Sequence, residues 1–310
     1  MASAIVFGAR GFIGAYVAAA LRRIPEIEVV EVARSARHAA SAATIELDLL
    51  TADISAISEV IAMSGATVVV NCAGTTTGAA SELMLGNTVT LARILEGIER
   101  AATGPRLIQM GSAAEYGAGP VGVKVSELWP ARPLSSYGVS KFAATQLVVQ
   151  ARERGVLEGT VVRIFNAVGP GMPDHSLPGG VLGRMKRAVA EGSKNVATGP
   201  LDAVRDFVDV RDIAAAVAAA CSAEERLPPI LNVGSGQGHT AREFVSELAR
   251  RVGFDSSIKE ESVGSPRSAD VAWQVADIAL ASRMLGWRPT HDLESMCDFA
   301  SGRSGPDRAT

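Results

Sequence analysis

With 310 residues, of which 47% are hydrophobic and 20% charged, the chain carries enough apolar material for one large α/β unit or a large domain with a smaller companion, which excludes disorder over its whole length. A formal net charge of -3 leaves no polybasic stripe for nucleic acid or an anionic membrane, so small molecules are the expected partners. The cysteines Cys72, Cys221 and Cys297 stand far apart without a CxxC pair, which fits neither a disulfide framework nor a thiolate metal site and implies a reducing cytoplasm.

In chain order, no basic or cleavable apolar leader precedes the first strand, expected over residues 4–7. Helices are expected over 11–23, 54–63, 81–99 and 136–154, and strands over 28–33, 67–71, 106–110 and 159–165. Short β-branched runs alternating with longer helical stretches mark a parallel, doubly wound Rossmann-type sheet, because such strands are buried on both faces. Past residue 167 the rhythm breaks, and Gly and Pro crowd into 169–180. A Rossmann unit over 1–166, rejoined by 201–235, is therefore expected beside a smaller C-terminal substrate-binding lobe built from 167–200 and 236–300. Residues 301–310 lack apolar periodicity and read as a flexible tail. The alanine-rich runs 15–20 and 213–220 are far shorter than the roughly 20 residues that span a bilayer and read as buried helices.

The first turn carries chemistry. In Gly8-Ala9-Arg10-Gly11-Phe12-Ile13-Gly14 three glycines separate an apolar strand from an apolar helix. There glycine lets the backbone turn tightly and a pyrophosphate approach the free N–H groups of a helix start. Cofactor choice is set about 20 residues beyond the last loop glycine, where an acidic side chain would accept from ribose hydroxyls. Ala33 stands there, followed by Arg34, Ser35 and Arg37, and guanidinium beside a neutral residue suits a 2′-phosphate. NADP(H) is the favoured cofactor. If Arg34 and Arg37 are only solvated loop charges, NAD(H) stays open, and Glu31 reads as an ordinary strand residue.

Further along, Tyr137 and Lys141 are four apart and so share one helical face. An adjacent ammonium favours phenolate and eases proton exchange with a substrate oxygen. Ser112, just past the strand expected over 106–110, supplies a hydroxyl to hold and polarise that oxygen. The competing reading of Tyr137 and Lys141 is a surface pair.

Order supplies what spacing alone lacks. The glycine turn, Asn71-Cys72-Ala73-Gly74, Gly111-Ser112-Ala113-Ala114-Glu115-Tyr116-Gly117, Arg132-Pro133-Leu134-Ser135-Ser136-Tyr137, Arg163-Ile164-Phe165-Asn166 and Gly169-Pro170-Gly171 follow one another. In these the chain resembles, over nearly its whole length, the extended short-chain dehydrogenase/reductase family, also called the NAD-dependent epimerase/dehydratase family. The resemblance implies that Gly8, Gly11, Phe12, Ile13, Gly14, Arg34, Ser35, Arg37, Asp48, Leu49, Cys72, Ala73, Gly74, Asn87 and Phe165 surround the dinucleotide with Tyr137 and Lys141. It implies Ser112, Tyr137 and Lys141 as catalytic groups, and a homodimer through the exposed faces of the 81–99 and 136–154 helices.

Within that family the chain is similar to the GDP-4-dehydro-6-deoxymannose reductases through residues 199–212, 232–236 and 266–271. By that resemblance Arg205 and Arg267 grip a nucleotide-sugar pyrophosphate, while Ser112, Ala113 and Asn166 contact the same substrate. A salt-bridge network with Asp206 and Asp209 is the alternative for Arg205. Ala113 and Ala114 stand where the family's sugar dehydratases carry an acidic pair and its fucose-forming epimerase-reductases a cysteine, so water elimination lacks its groups. Carbonyl reduction by NADP(H) is left, with 4-epimerisation on tightly held NAD and a non-catalytic NADP-sensing module as alternatives. No His/Asp/Glu spacing suggests a metal. His175 reads either as a solvated loop residue or as facing the substrate.

Overall fold

The computed structural model describes residues 2–35, 44–261 and 271–303. Arg37, Arg267 and the tail from 304 on lie outside the described residues. Strand β1 (Ala2–Phe7) runs into the glycine turn and α1 (Phe12–Leu21), followed by β2 (Ile27–Ala33), β3 (Thr44–Glu46), α2 (Ile54–Met63) and β4 (Val68–Asn71). Beyond these come α3 (Ala80–Leu83), α4 (Thr90–Ala101), β5 (Arg106–Ser112), β6 (Lys124–Val125), α5 (Ser136–Glu153), β7 (Gly159–Ile164) and β8 (Asn166–Val168). The remaining chain forms α6 (Leu177–Glu191), β9 (Asn195–Ala197), β10 (Val204–Arg205), β11 (Phe207–Asp209), α7 (Val210–Ser222) and β12 (Ile230–Val233). It closes with β13 (His239–Thr240), α8 (Ala241–Val252), β14 (Ser257–Lys259), β15 (Trp273–Ala276), α9 (Ala279–Leu285) and α10 (Leu293–Ser301).

The doubly wound sheet is present: seven strands in the order β12-β7-β5-β4-β1-β2-β3, every neighbouring pair parallel. Alternate side chains divide its core. Val6, Val70, Ile108 and Val162 pack with Val17 and Leu21 of α1 and Ile213 and Val217 of α7. Ile5, Val69, Leu107 and Val161 pack on the other face with residues of α2, α4 and α5. Strand order reverses between β1 and β4, so the crevice beyond their carboxyl ends is where such a sheet accepts a ligand. A third cluster joins α6, α8 and α10 through Val181, Met185, Leu248 and Met296, with Phe207 stacked on Phe244 at 4.3 Å between ring centres.

Three local differences from expectation have physical causes. The 81–99 helix is not continuous: between α3 and α4 residues Met84–Val89 form a π-helical turn. The backbone N–H of Thr90 donates to the carbonyl of Leu85, five residues back, and its Oγ1 donates to the same carbonyl at 3.0 Å; the wide turn brings Asn87 into the interior. Strand β5 extends two residues beyond Met110, because Gly111 and Ser112 stay paired with Arg163 and Ile164 of β7. In the stretch 201–235, β12 joins the large sheet, whereas β10 pairs with β13 and β15 and β11 with β8. Asp206, set between β10 and β11, anchors them: its buried carboxylate takes the backbone N–H groups of Ser235 and Gly236, just past β12, and of Ala276 in β15. Among the described residues no helix is long and apolar enough to cross a membrane.

Candidate active site

Gly8 adopts φ +73°, and a Cβ there would stand 2.6 Å from the backbone nitrogen of Ala73, so the ends of β1 and β4 touch only because this residue is glycine. Gly14 is fixed in the same way against the carbonyl of Gly8. α1 starts at Gly11 with no side-chain cap and no acidic residue in its first turn, which leaves its N–H groups for an anion. This is a cradle a dinucleotide pyrophosphate fits.

At the end of β4, Asn71 accepts from the backbone N–H of Ala73 (3.0 Å) and donates to Gln109 (2.7 Å), which shapes the 71–74 turn. Burial pushes the Cys72 thiol up to about 12, so it stays protonated beside the turn. The π-turn brings Asn87 under the next residues: its Oδ1 accepts from Thr75 N (3.1 Å), and its amide donates to Thr75 O (2.9 Å) and to Ser140 Oγ of α5 (3.0 Å). A Cβ on Gly74 would sit 2.7 Å from Asn87 Oδ1 and 3.9 Å from Lys141 Nζ, so the turn, the π-helix and α5 converge.

The glycine turn lies against the end of β2, Gly8 N and Ala9 N donating to Val32 O at 2.9 and 3.3 Å. Arg34 and Ser35 are exposed just past β2, while Asp48 and Leu49 follow β3, tied to β2 by Leu47 N donating to Ala33 O (2.9 Å). Glu31 lies inside β2, ion-paired with Arg22 and accepting from Thr44 Oγ1 at 3.1 Å.

Opposite the glycine turn, Ser135 caps α5 by accepting from Gly138 N (3.1 Å) and places Tyr137 in its first turn. One turn on, Lys141 is 6% exposed and donates from Nζ to Met110 O at 2.6 Å, which ties α5 to β5. Ser112 ends β5, its hydroxyl accepting from Ala114 N at 3.2 Å. Ser112, Ala113 and Tyr137 line one cavity of about 240 Å³ with Phe12 and Ile13 of the glycine turn and with Phe165, Asn166 and Arg205. Residues from both halves of the sequence motif set thus face a common space.

Arg205 is buried, and burial pushes its guanidinium down to about 10. It donates to Val204 O at 2.9 Å. Asp206 and Asp209 are engaged elsewhere. Asp206 holds the 235–236 and 276 backbone, burial raising its carboxyl to about 6, and Asp209 forms a two-bond pair with Arg211 at 2.9 Å for each bond. Asn166 donates to Asp206 O (2.9 Å) at the cavity wall.

Three features had no settled role from the sequence. Gln274 of β15 donates to Ala113 O (2.9 Å) and Gly117 O (3.0 Å), fixing the floor behind Ser112. His175 is exposed and lines the cavity, and its Nε2 lies 2.6 Å from Thr76 Oγ1. Glu115 and Arg163 form an ion pair (2.8 Å) that solvent scarcely reaches, the carboxylate 0% and the guanidinium 2% exposed. Both stand inside motifs quoted from the sequence, but nothing there marks them as buried or as partners, although buried charge is rare unless paired.

Fold and crevice together define a dinucleotide-dependent oxidoreductase. Residues 4–234 match the model of the NAD dependent epimerase/dehydratase family. The chain belongs to that family and is an NAD(P)-dependent oxidoreductase of the extended short-chain dehydrogenase/reductase type. It is 36% identical over 291 residues to the dTDP-6-deoxy-L-talose 4-dehydrogenase (NAD(P)(+)) of Kitasatospora kifunensis, spanning 93% of this chain and 91% of that one. Among solved structures it is similar to MoeE5 in complex with UDP-glucose and NAD, at 28% identity, TM-score 0.81 and 97% of each chain. The Thermus thermophilus UDP-glucose 4-epimerase complexed with NAD is also similar, at 25% identity, TM-score 0.84, 97% of this chain and 98% of that one.

Proposed function

We propose that the chain interconverts the 4-keto and 4-hydroxy forms of a nucleoside-diphosphate-linked 6-deoxy sugar with NADP(H), working as a reductase. The observation that carries this is the single cavity in which Ser112 and Tyr137 face Phe12 and Ile13 at one side and the buried Arg205 at another. A proton donor, an oxygen holder, a dinucleotide turn and a diphosphate-sized cation then share one space. The 36% identical relative is named for oxidation at C4 of a dTDP-linked 6-deoxy sugar. We therefore favour dTDP over the GDP expected from the reductase resemblance.

The dinucleotide, when bound, supplies or accepts the hydride. Ser112 Oγ donates to the C4 carbonyl oxygen and holds it, and Tyr137 Oη delivers a proton to that oxygen as the carbon becomes saturated. Lys141, pinned by Met110 O, sets its amino group one turn from the phenol and favours the phenolate left once the proton is delivered; the phenol then takes a proton from solvent. Arg205 and Asn166 orient the diphosphate end, which converts remote binding into alignment at C4. Arg34, exposed past β2, supports a 2′-phosphate and hence NADP(H) over NAD(H).

The 4-epimerase reading draws on the likeness to the Thermus thermophilus enzyme. Assay separates the two. NADPH oxidation with 4-keto-6-deoxy sugars on dTDP, GDP or UDP supports reduction, whereas co-purified NAD that does not exchange, is reduced transiently and shows no net redox change over C4 inversion supports epimerisation. Inertness towards the whole panel sinks both. A homodimer through α4 and α5 is part of this proposal, since Leu85, Val89 and Val139 are exposed on or beside those helices.

A further inference from the structure

Glu115 lies at the meeting point of three elements around the reaction centre. Its Oε1 accepts from the backbone N–H of Ser112 (2.8 Å), the last residue of β5. Its Oε2 accepts from Thr145 Oγ1 (2.7 Å), on α5 one turn beyond Lys141, and from Arg163 Nε (2.8 Å) on β7. Arg163 in turn stacks over the Tyr116 ring at 4.3 Å, and the Tyr116 hydroxyl donates to Asn232 of β12 at 2.7 Å. The fit leaves no slack, since a Cβ on Gly111 would stand 2.8 Å from Glu115 Oε1 and 2.6 Å from Val161.

Stability alone does not account for such an arrangement. Removing two charges from water costs about as much as their attraction returns, and apolar residues of equal volume commonly serve a core as well or better. What the carboxylate adds is direction: charge-assisted bonds of fixed geometry to the strand end that carries Ser112 and to the helix that carries Tyr137 and Lys141. We propose that Glu115 is a positioning residue that locks the Ser112 hydroxyl in register with the Tyr137 phenol, with Thr145 as its tether on α5 and Arg163 as its counter-charge. The proposal rests on the reading of Ser112 and Tyr137 as the oxygen-holding and proton-donating groups.

Its test compares Glu115→Gln, Thr145→Val, Thr145→Ser, Ser112→Ala and the Ser112→Ala/Glu115→Gln double variant. The amide nitrogen of Gln would face the donors Thr145 and Arg163 and turn the group, while Thr145→Val removes one bond without exposing a charge and serves if the Gln variant does not fold. With the nucleotide sugar that the wild type turns over, kcat is expected to fall roughly 10- to 100-fold for Glu115→Gln and several-fold for Thr145→Val. Substrate KM and NADPH affinity stay within about 2-fold, and Thr145→Ser restores the rate. Because Glu115 acts through Ser112, the double variant is expected to be no slower than Ser112→Ala within about 2-fold. Losses that multiply in the double variant, or that fall on NADPH affinity, overturn the proposal. Hydrogen exchange gives a readout free of turnover: the Ser112 amide is expected to exchange about 10-fold faster in Glu115→Gln and measurably faster in Thr145→Val, with Val69 and Val70 unchanged. Equal exchange in the wild type and both variants overturns the clamp. A wild type inert on every sugar counts against the reductase reading, and the exchange measurement then decides this one.

Discussion

Tyr137 and Lys141 need only a helix to share a face, whereas the pairing of β5 with β7 carries Ser112 to the cavity that Tyr137 lines, and Met110 O, two residues before it, receives Lys141 Nζ. The phenol is the group whose loss is most selective. Tyr137→Phe keeps the ring and removes the proton, so kcat is expected to fall about 10²- to 10⁴-fold with NADPH affinity nearly unchanged, as read by steady-state rates beside fluorescence titration. Residual activity near that of the wild type would assign the proton to another donor. Arg205→Met preserves the buried stem and deletes the charge; a rise of at least about 10-fold in nucleotide-sugar KM, with the NADPH constant unmoved, is expected if the guanidinium grips a diphosphate. Legibility at this scale was uneven. Ser112 and Tyr137 could be named because their residue types suit a chemistry and Arg205 through the family resemblance, and all three line the cavity. Glu115 could not, since a carboxylate in a motif says nothing of its burial, and His175 was undecidable because its direction depends on how 169–176 folds back over Thr76.

Among the elements, strands such as Val68–Asn71 were readable because a parallel strand buried on both faces is a continuous apolar run. The π-turn was not, because Leu83, Leu91, Ile94 and Ile98 carry an apolar stripe through the whole helical stretch and conceal the extra residue. The small sheets were missed for a different reason: strands of two or three residues have no period, and what holds them is long-range, as in the bond from Ala276 N to Asp206 beside β10 and β15. A comparable hub ties α7 to the segment before α10. Asp212 accepts from Thr290 and His291 backbone and from the His291 ring at 2.9 Å, and Trp287 Nε1 donates to Asp212 O at 3.0 Å. The hydrogen bond to Asp212 holds the His291 imidazole above its ordinary 6.5, despite the opposing effect of burial. Burial works to raise the Asp212 carboxyl, but hydrogen bonds from His291 and Thr290 outweigh it and leave the group below its ordinary 3.8. The raised imidazole contributes stability fully below its unfolded value and loses it as pH rises through the folded one; the depressed carboxyl contributes above its unfolded value and loses it as pH falls through the folded one. Their joint contribution is thus greatest between about pH 4 and 6.5. A wild-type Tm exceeding that of His291→Gln by about 2 °C or more near pH 5.5, with the gap closing towards pH 9, is the expected result.

For the molecule as a whole, the crevice at the strand-order reversal implies that cofactor and fold are thermodynamically linked. NADPH at about 100 times its dissociation constant is expected to stabilise the native state by roughly 2.7 kcal/mol, a rise in Tm that NADH at equal concentration does not match. Arg34→Ala is expected to bring the two cofactors level; an NADH shift that already equals that of NADPH in the wild type would place the chain among NAD users. Sedimentation velocity tests the pairing of copies: Val89→Asp with Val139→Asp is expected to convert a dimer into a monomer.

The π-turn holds one residue more than the α-helical turn it replaces. Excising a single amino acid from 84–89 should therefore heal the helix into regular α geometry, with the faces that α3 and α4 present to the core kept in phase. The side-chain amide of Asn87 would then be drawn out of reach of Thr75 and Ser140. A shortened chain that melts as late as its parent yet has lost its grip on NADPH would mark those six residues as a detachable loan from the scaffold to the cofactor.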